Sequence, residues 1–111
     1  MKLKFEERED ILIVHMDGEL DHHTAEEVRN RLDDRIDRNG VNKLIMNFLN
    51  VSFMDSSGIG VVIGRYKKVS TRGGKVCMIG AIGAVKRVFE LSGIFKIIPL
   101  YDNVEEALAN I

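Results

Sequence analysis

Apolar residues follow two alternating rhythms along this chain. Leu3 and Phe5, then Ile11 to Met16, carry the short spacing of strands at 3–7 and 11–16, with the charged Arg8-Glu9-Asp10 as a turn between them. A connection that short implies an antiparallel pair. Gly18-Glu19-Leu20-Asp21 then leads into a helical segment. There Ala25, Val28, Leu32 and Ile36 form one face, charged residues the other, and Asn39-Gly40 the end. Lys43 to Phe48, centred on Leu44-Ile45-Met46, reads as an interior strand followed by a turn near Asn50.

A second helix follows Gly58, with Ile59, Val62, Ile63, Tyr66 and Val69 as its buried side and Gly73-Gly74 as its end. Lys75 to Ile79 is again a strand. A third helix carries Val85, Val88, Phe89 and Leu91 inward and stops at Ser92-Gly93. Phe95 to Ile98 is expected as the last strand, and Asp102-Asn103-Val104-Glu105-Glu106 as the capped start of a last helix. The order β-β-α-β-α-β-α-β-α predicts an α/β fold: a mixed, mostly parallel sheet packed with about four helices, in one domain over 1–111.

Composition narrows the function. The chain has 111 residues, 45% hydrophobic and 30% charged, with a net charge of −1. Its basic residues are dispersed among acids, which argues against direct nucleic-acid binding. The single cysteine, Cys77, excludes an internal disulfide and reads as a small core residue. Met1 to Glu7 lacks the apolar stretch of a signal peptide and no run approaches a membrane span, so a cytoplasmic, membrane-free protein is expected.

The informative segment is Asp55-Ser56-Ser57-Gly58-Ile59-Gly60, at the carboxyl end of a buried strand and the start of a helix. A helix start favours an anion. A serine there can cap the helix or carry a phosphate that uses the same N–H groups. Gly58 and Gly60 are expected to leave the backbone open to another molecule.

Three other chemistries fit less well. Serine hydrolysis would use Ser56 with His15, His22 or His23 as base and Asp21 or Asp55 as orienter. The nucleophile elbow, however, needs glycine where Met54 stands, and the side chains of His22 and His23 are expected to diverge. Nucleotide binding through Gly58, Gly60 and Gly64 misses the dinucleotide spacing. A metal on His22 and His23 with Asp21 or Glu26 would need adjacent histidines to share one ion, so no metal and no cofactor is expected.

Phe53-Met54-Asp55-Ser56-Ser57-Gly58-Ile59-Gly60 resembles the signature of the bacterial anti-anti-sigma factors, the founding STAS-domain family. Gly18-Glu19-Leu20-Asp21-His22-His23-Thr24-Ala25 is similar to that family's other loop. Gly64-Arg65-Tyr66-Lys67, Val85-Lys86-Arg87 and Leu91 to Ile98 fit as well, so the resemblance runs from about residue 5 to 110. It implies a switch protein without enzymatic activity. In that family the unmodified protein binds an anti-sigma factor and so releases a sigma factor, sigma-F in the sporulation branch that this chain resembles most. The anti-sigma factor is also a serine kinase that phosphorylates the first serine of the signature, here Ser56, and a PP2C-type phosphatase reverses this. The implied partner surface comprises Asp21, His22, Asp55, Ser56, Ser57, Gly58 and Gly60. A scaffold role in a stress-sensing complex is the alternative within the same fold.

Overall fold

The computed structural model describes residues 1–38 and 40–111; Asn39, expected in the first helix's end, lies outside the described residues. β1 (Lys2–Arg8) and β2 (Ile11–Leu20) form an antiparallel hairpin. Then come α1 (Ala25–Arg38), β3 (Lys43–Met54), α2 (Ser56–Thr71), β4 (Lys75–Ile79), α3 (Gly83–Ser92), β5 (Leu100–Tyr101) and α4 (Val104–Asn110). The strands lie side by side in chain order, and β2, β3, β4 and β5 run parallel. This is the predicted element order and a mixed, mostly parallel sheet.

Strand alternation divides the core. Leu12, Val14, Leu44, Met46 and Phe48 point to the face covered by α1, α2 and α3. Ile13, Ile45, Cys77 and Ile79 point to the other face, where Ala107 of α4 covers them. Each fully buried Leu, Ile or Phe contributes about 1.5–3 kcal/mol relative to exposure, so packing on the two faces of the sheet holds the helices in place. Burial also pushes the Cys77 thiol up to about 12, which leaves it un-ionised as the core residue expected.

α1 and α2 are joined by charges as well as by apolar contact. Arg65 is only 7% exposed and places its Nε 3.0 Å from Asp33 of α1. Lys68 and Arg72 reach Asp37 at 2.9 and 2.6 Å. Burial pulls the Arg65 guanidinium down, and Asp33 opposes that shift.

Three expectations are corrected. β3 does not turn near Asn50 but continues to Met54, paired with a β2 that runs on to Leu20. The buried positions Phe48, Val51 and Met54 are three apart and the ladder has register shifts there, so a strand period is not visible. Residues 95–98 are not a strand. Gly93, at φ 75°, ends α3 and starts a 3-10 turn over Ile94–Lys96, with Ile94 and Ile98 buried at helical spacing. The strand forms only after Pro99. Leu91 is 76% exposed, because Val85 and Phe89 define the buried face of α3.

Candidate functional site

Two loops emerge at the carboxyl edge of the parallel strands: β2 to α1, and β3 to α2. Met54 ends β3, buried, and Asp55 turns the chain with extended backbone at φ −121° and ψ −169°. Its Oδ1 accepts from the Ser57 N–H at 2.9 Å, and its carbonyl accepts from Gly58 and Ile59 at 3.0 and 3.3 Å. Asp55 is therefore the N-cap of α2, and neither serine caps it, contrary to one expected role. The carboxylate also gives the helix start a negative charge it favours. Ser56 becomes the first helical residue and is exposed, whereas Ser57 is half-buried with its N–H engaged.

The glycines behave differently. A Cβ on Gly58 would collide with the Met54 side chain and lie 2.9 Å from the Leu20 carbonyl. Gly58 is buried and serves the close packing of α2 on the end of β2; it does not offer open backbone. Gly60 does, since a Cβ there meets nothing within 4 Å.

The β2–α1 loop is built by Asp21 and Thr24. Asp21 Oδ1 accepts from the N–H groups of His23 and Thr24 at 2.9 and 3.2 Å. The Asp21 N–H donates to Thr24 Oγ1 at 3.1 Å, and that hydroxyl donates to the Glu19 carbonyl at 2.9 Å. Partial desolvation raises the Asp21 carboxyl, but the bonds from His23 and Thr24 outweigh it and hold the carboxyl below its ordinary value. Thr24 was not among the expected site residues, although its place three after Asp21 at a helix start is the spacing of a cap.

Asp55 ties the loops together. Its Oδ2 accepts from the His22 N–H at 3.3 Å and lies 3.8 Å from His22 Nδ1, and its own N–H donates to the Leu20 carbonyl at 3.4 Å. The rings of His22 and His23 do not diverge; their centroids are 3.9 Å apart, tilted by 39°. Beside them, between α1 and α2, runs a groove lined by His22, Glu26, Arg29, Ser57, Gly60 and Val61. The structure thus brings His22, Asp55, Ser57 and Gly60 to one place, with Ser56 at its edge and Asp21 shaping the loop behind.

Other chemistries lack support in the geometry. Among the described residues, no histidine bonds to the Ser56 hydroxyl, and His15 instead spans Glu6 at 3.2 Å and Asn47 at 2.9 Å across the sheet. No three His, Cys, Asp or Glu side chains converge as a metal site among the described residues. No described helix is long and apolar enough to cross a membrane.

The STAS domain family matches residues 2–107. The chain belongs to the STAS-domain family. An anti-sigma F factor antagonist from Paenibacillus polymyxa is 40% identical over 111 residues, which is all of this chain and 95% of that protein. A solved structure from Thermotoga maritima superposes with a TM-score of 0.92 at 25% identity, covering 98% of this chain and 93% of that one. SpoIIAA, an anti-sigma factor antagonist solved in its unphosphorylated form, gives a TM-score of 0.76 at 29% identity over 98% of this STAS chain and 96% of its own. Its phosphorylated form, described as a Bacillus cell fate determinant, gives 0.75 at 30% identity over 98% and 97%.

Proposed function

We propose that this STAS-domain protein is an anti-sigma factor antagonist, acting as one folded unit in the cytoplasm and without catalysis of its own. Unmodified, it binds an anti-sigma factor that is also a serine kinase and thereby frees a sigma factor, sigma-F by the Paenibacillus likeness. Phosphorylation of Ser56 ends binding, and a PP2C-type phosphatase restores it. The partner surface is formed by Asp21, His22, Asp55, Ser56, Ser57 and Gly60, with Gly58 holding the helix beneath.

One observation carries this reading: Ser56 stands exposed on the first turn of α2, beside a loop that Asp55 holds against it. A phosphate there would add about −1.5 to −2 charges. The helix dipole offsets part of that inside the protein, by roughly 0.3–1 kcal/mol per unit interaction. A partner surface shaped around a neutral hydroxyl has no such compensation, and a like-charge clash at an interface costs several kcal/mol. Incubation with the anti-sigma kinase and ATP, followed by peptide mass mapping, tests the assignment. Phosphate on Ser56 is expected; phosphate on Ser57 alone would contradict it.

A further inference from the structure

The sheet is incomplete along part of its β5 edge. β5 has two residues and pairs only with Met78 and Ile79, whereas β4 begins three residues earlier, at Lys75. Surrounding bonds fix which way each β4 residue points. The Met78 N–H donates to the Pro99 carbonyl at 2.9 Å and the Gly80 N–H to the Tyr101 carbonyl at 3.3 Å, while the Lys75 N–H donates to Asn42, on the β3 side, at 3.0 Å. In a strand the N–H and C=O of one residue share a side, and sides alternate along the chain. Val76 therefore directs both groups toward β5.

β5 cannot reach them. The next ladder donor to the Val76 carbonyl would be residue 99, and that residue is Pro99, the only proline of the chain, which has no N–H. Neither backbone group of Val76 has a partner on that side among the described residues, yet Val76 is only 5% exposed. Buried backbone groups are seldom left unpaired, because desolvating them without a bond is costly. Val76 lines a cavity of about 250 Å³ whose walls include Tyr66, Ser70, Ile97, Tyr101 and Ile111.

We propose that this cavity binds one residue of an extended apolar peptide segment, added antiparallel to β4 where β5 falls short. The bound residue donates its N–H to the Val76 carbonyl and accepts from the Val76 N–H, as an opposed hydrogen-bonded pair does. Its apolar side chain occupies the space beside Tyr66 and Ile97. The site lies at the amino end of β4, whereas Ser56 follows the carboxyl end of β3, so the proposal does not depend on the phosphorylation switch.

The test is NMR on the full chain with N-acetyl-L-leucine N-methylamide, a blocked residue carrying one such donor–acceptor pair. In the free protein the Val76 amide is expected to exchange with solvent at least about tenfold faster than that of Met78, which is bonded to Pro99. Millimolar probe should shift the Val76 and Cys77 resonances and slow Val76 exchange. The analogue methylated at the leucine nitrogen loses the donor that pairs with Val76, keeping only the methylamide N–H on its opposite edge, and should do neither. Ser70→Leu, which narrows the cavity, should abolish the response while the rest of the spectrum persists. A Val76 amide as protected as Met78 without probe, resonances that the probe leaves unmoved, or an equal response to the methylated analogue would each overturn the proposal.

Discussion

The Asp55 carboxylate divides its two oxygens between two loops: Oδ1 caps α2 through the Ser57 N–H at 2.9 Å, and Oδ2 accepts from the His22 N–H at 3.3 Å. Asp55→Ala should therefore cost about 0.5–2 kcal/mol through the lost cap and also shift the His22 amide resonance. Asp55→Asn caps about as well as Asp, so it should keep the stability. Urea unfolding and amide shifts separate the two effects; an Asp55→Ala protein as stable as the parent would remove the cap from the account.

Gly58 and Gly60 make opposite predictions although they stand two residues apart. Gly58→Ala drives a methyl into Met54 and the Leu20 carbonyl and should destabilise by about 1–3 kcal/mol, as overpacking does. Gly60→Ala meets open space and should stabilise the helix by roughly 0.5–1 kcal/mol. The same methyl narrows the groove between α1 and α2, so partner affinity should fall as the melting temperature rises. Gly60→Ala with unchanged affinity would take the groove out of the interface.

Arg65 should matter more to stability than the exposed ion pairs do. Arg65→Ala removes the buried ion-pair partner of Asp33, to which it makes no aligned hydrogen bond, and should cost no more than the about 3–5 kcal/mol of breaking a buried pair. The loss is limited because Asp33 keeps some solvent contact and has Lys68 at 3.6 Å. Arg65→Met should recover part of it by filling the space without a charge. Denaturant midpoints of the two variants test the order.

Acid should loosen the α1–α2 contact. The hydrogen bond from Arg72, then that from Lys68, holds the Asp37 carboxyl below its ordinary value. A carboxyl depressed on folding stabilises above its unfolded value, and that share is lost as pH falls through the lower folded value. Stability should thus decline below the ordinary aspartate range. Asp37→Asn should flatten that slope while leaving the acid limit unchanged, and urea midpoints against pH would show it. The effect is small, because the pair is exposed.

Much of this was legible in the sequence, and the misses have physical causes. The helix periods around Val28 and Val62 identify their elements because each buries one face against the sheet, and the unbroken apolar runs around Leu12 and Leu44 mark strands covered on both faces. The end of β3 was hidden because Phe48, Val51 and Met54 carry a bulged spacing. The last strand was misplaced because Ile94 and Ile98 are buried through a 3-10 turn that an apolar run alone does not reveal. At the site, the Asp-Ser-Ser-Gly segment marked the helix start. That Asp55 rather than a serine caps it, and that Gly58 is closed while Gly60 is open, depends on Leu20 and Met54 arriving from elsewhere in the fold.

Phosphorylation should act locally. Val61, Val62 and Val69 anchor α2 in the core, and burial of one such side chain is worth about 1.5–3 kcal/mol against roughly 0.3–1 kcal/mol for a charge at an exposed helix end. Amide resonances should move around residues 20–24 and 54–60 and hardly at all in α3 and α4. Widespread shifts in those helices would mean that a rearrangement of the fold excludes the partner.

Under the proposed function, charge on Ser56 switches partner binding off. Calorimetric titration of the anti-sigma kinase with unmodified and Ser56-phosphorylated protein measures it directly. Phosphorylation is expected to weaken binding by about 100-fold or more, because an unmatched like charge at an interface costs several kcal/mol. Equal affinity of the two forms would contradict it.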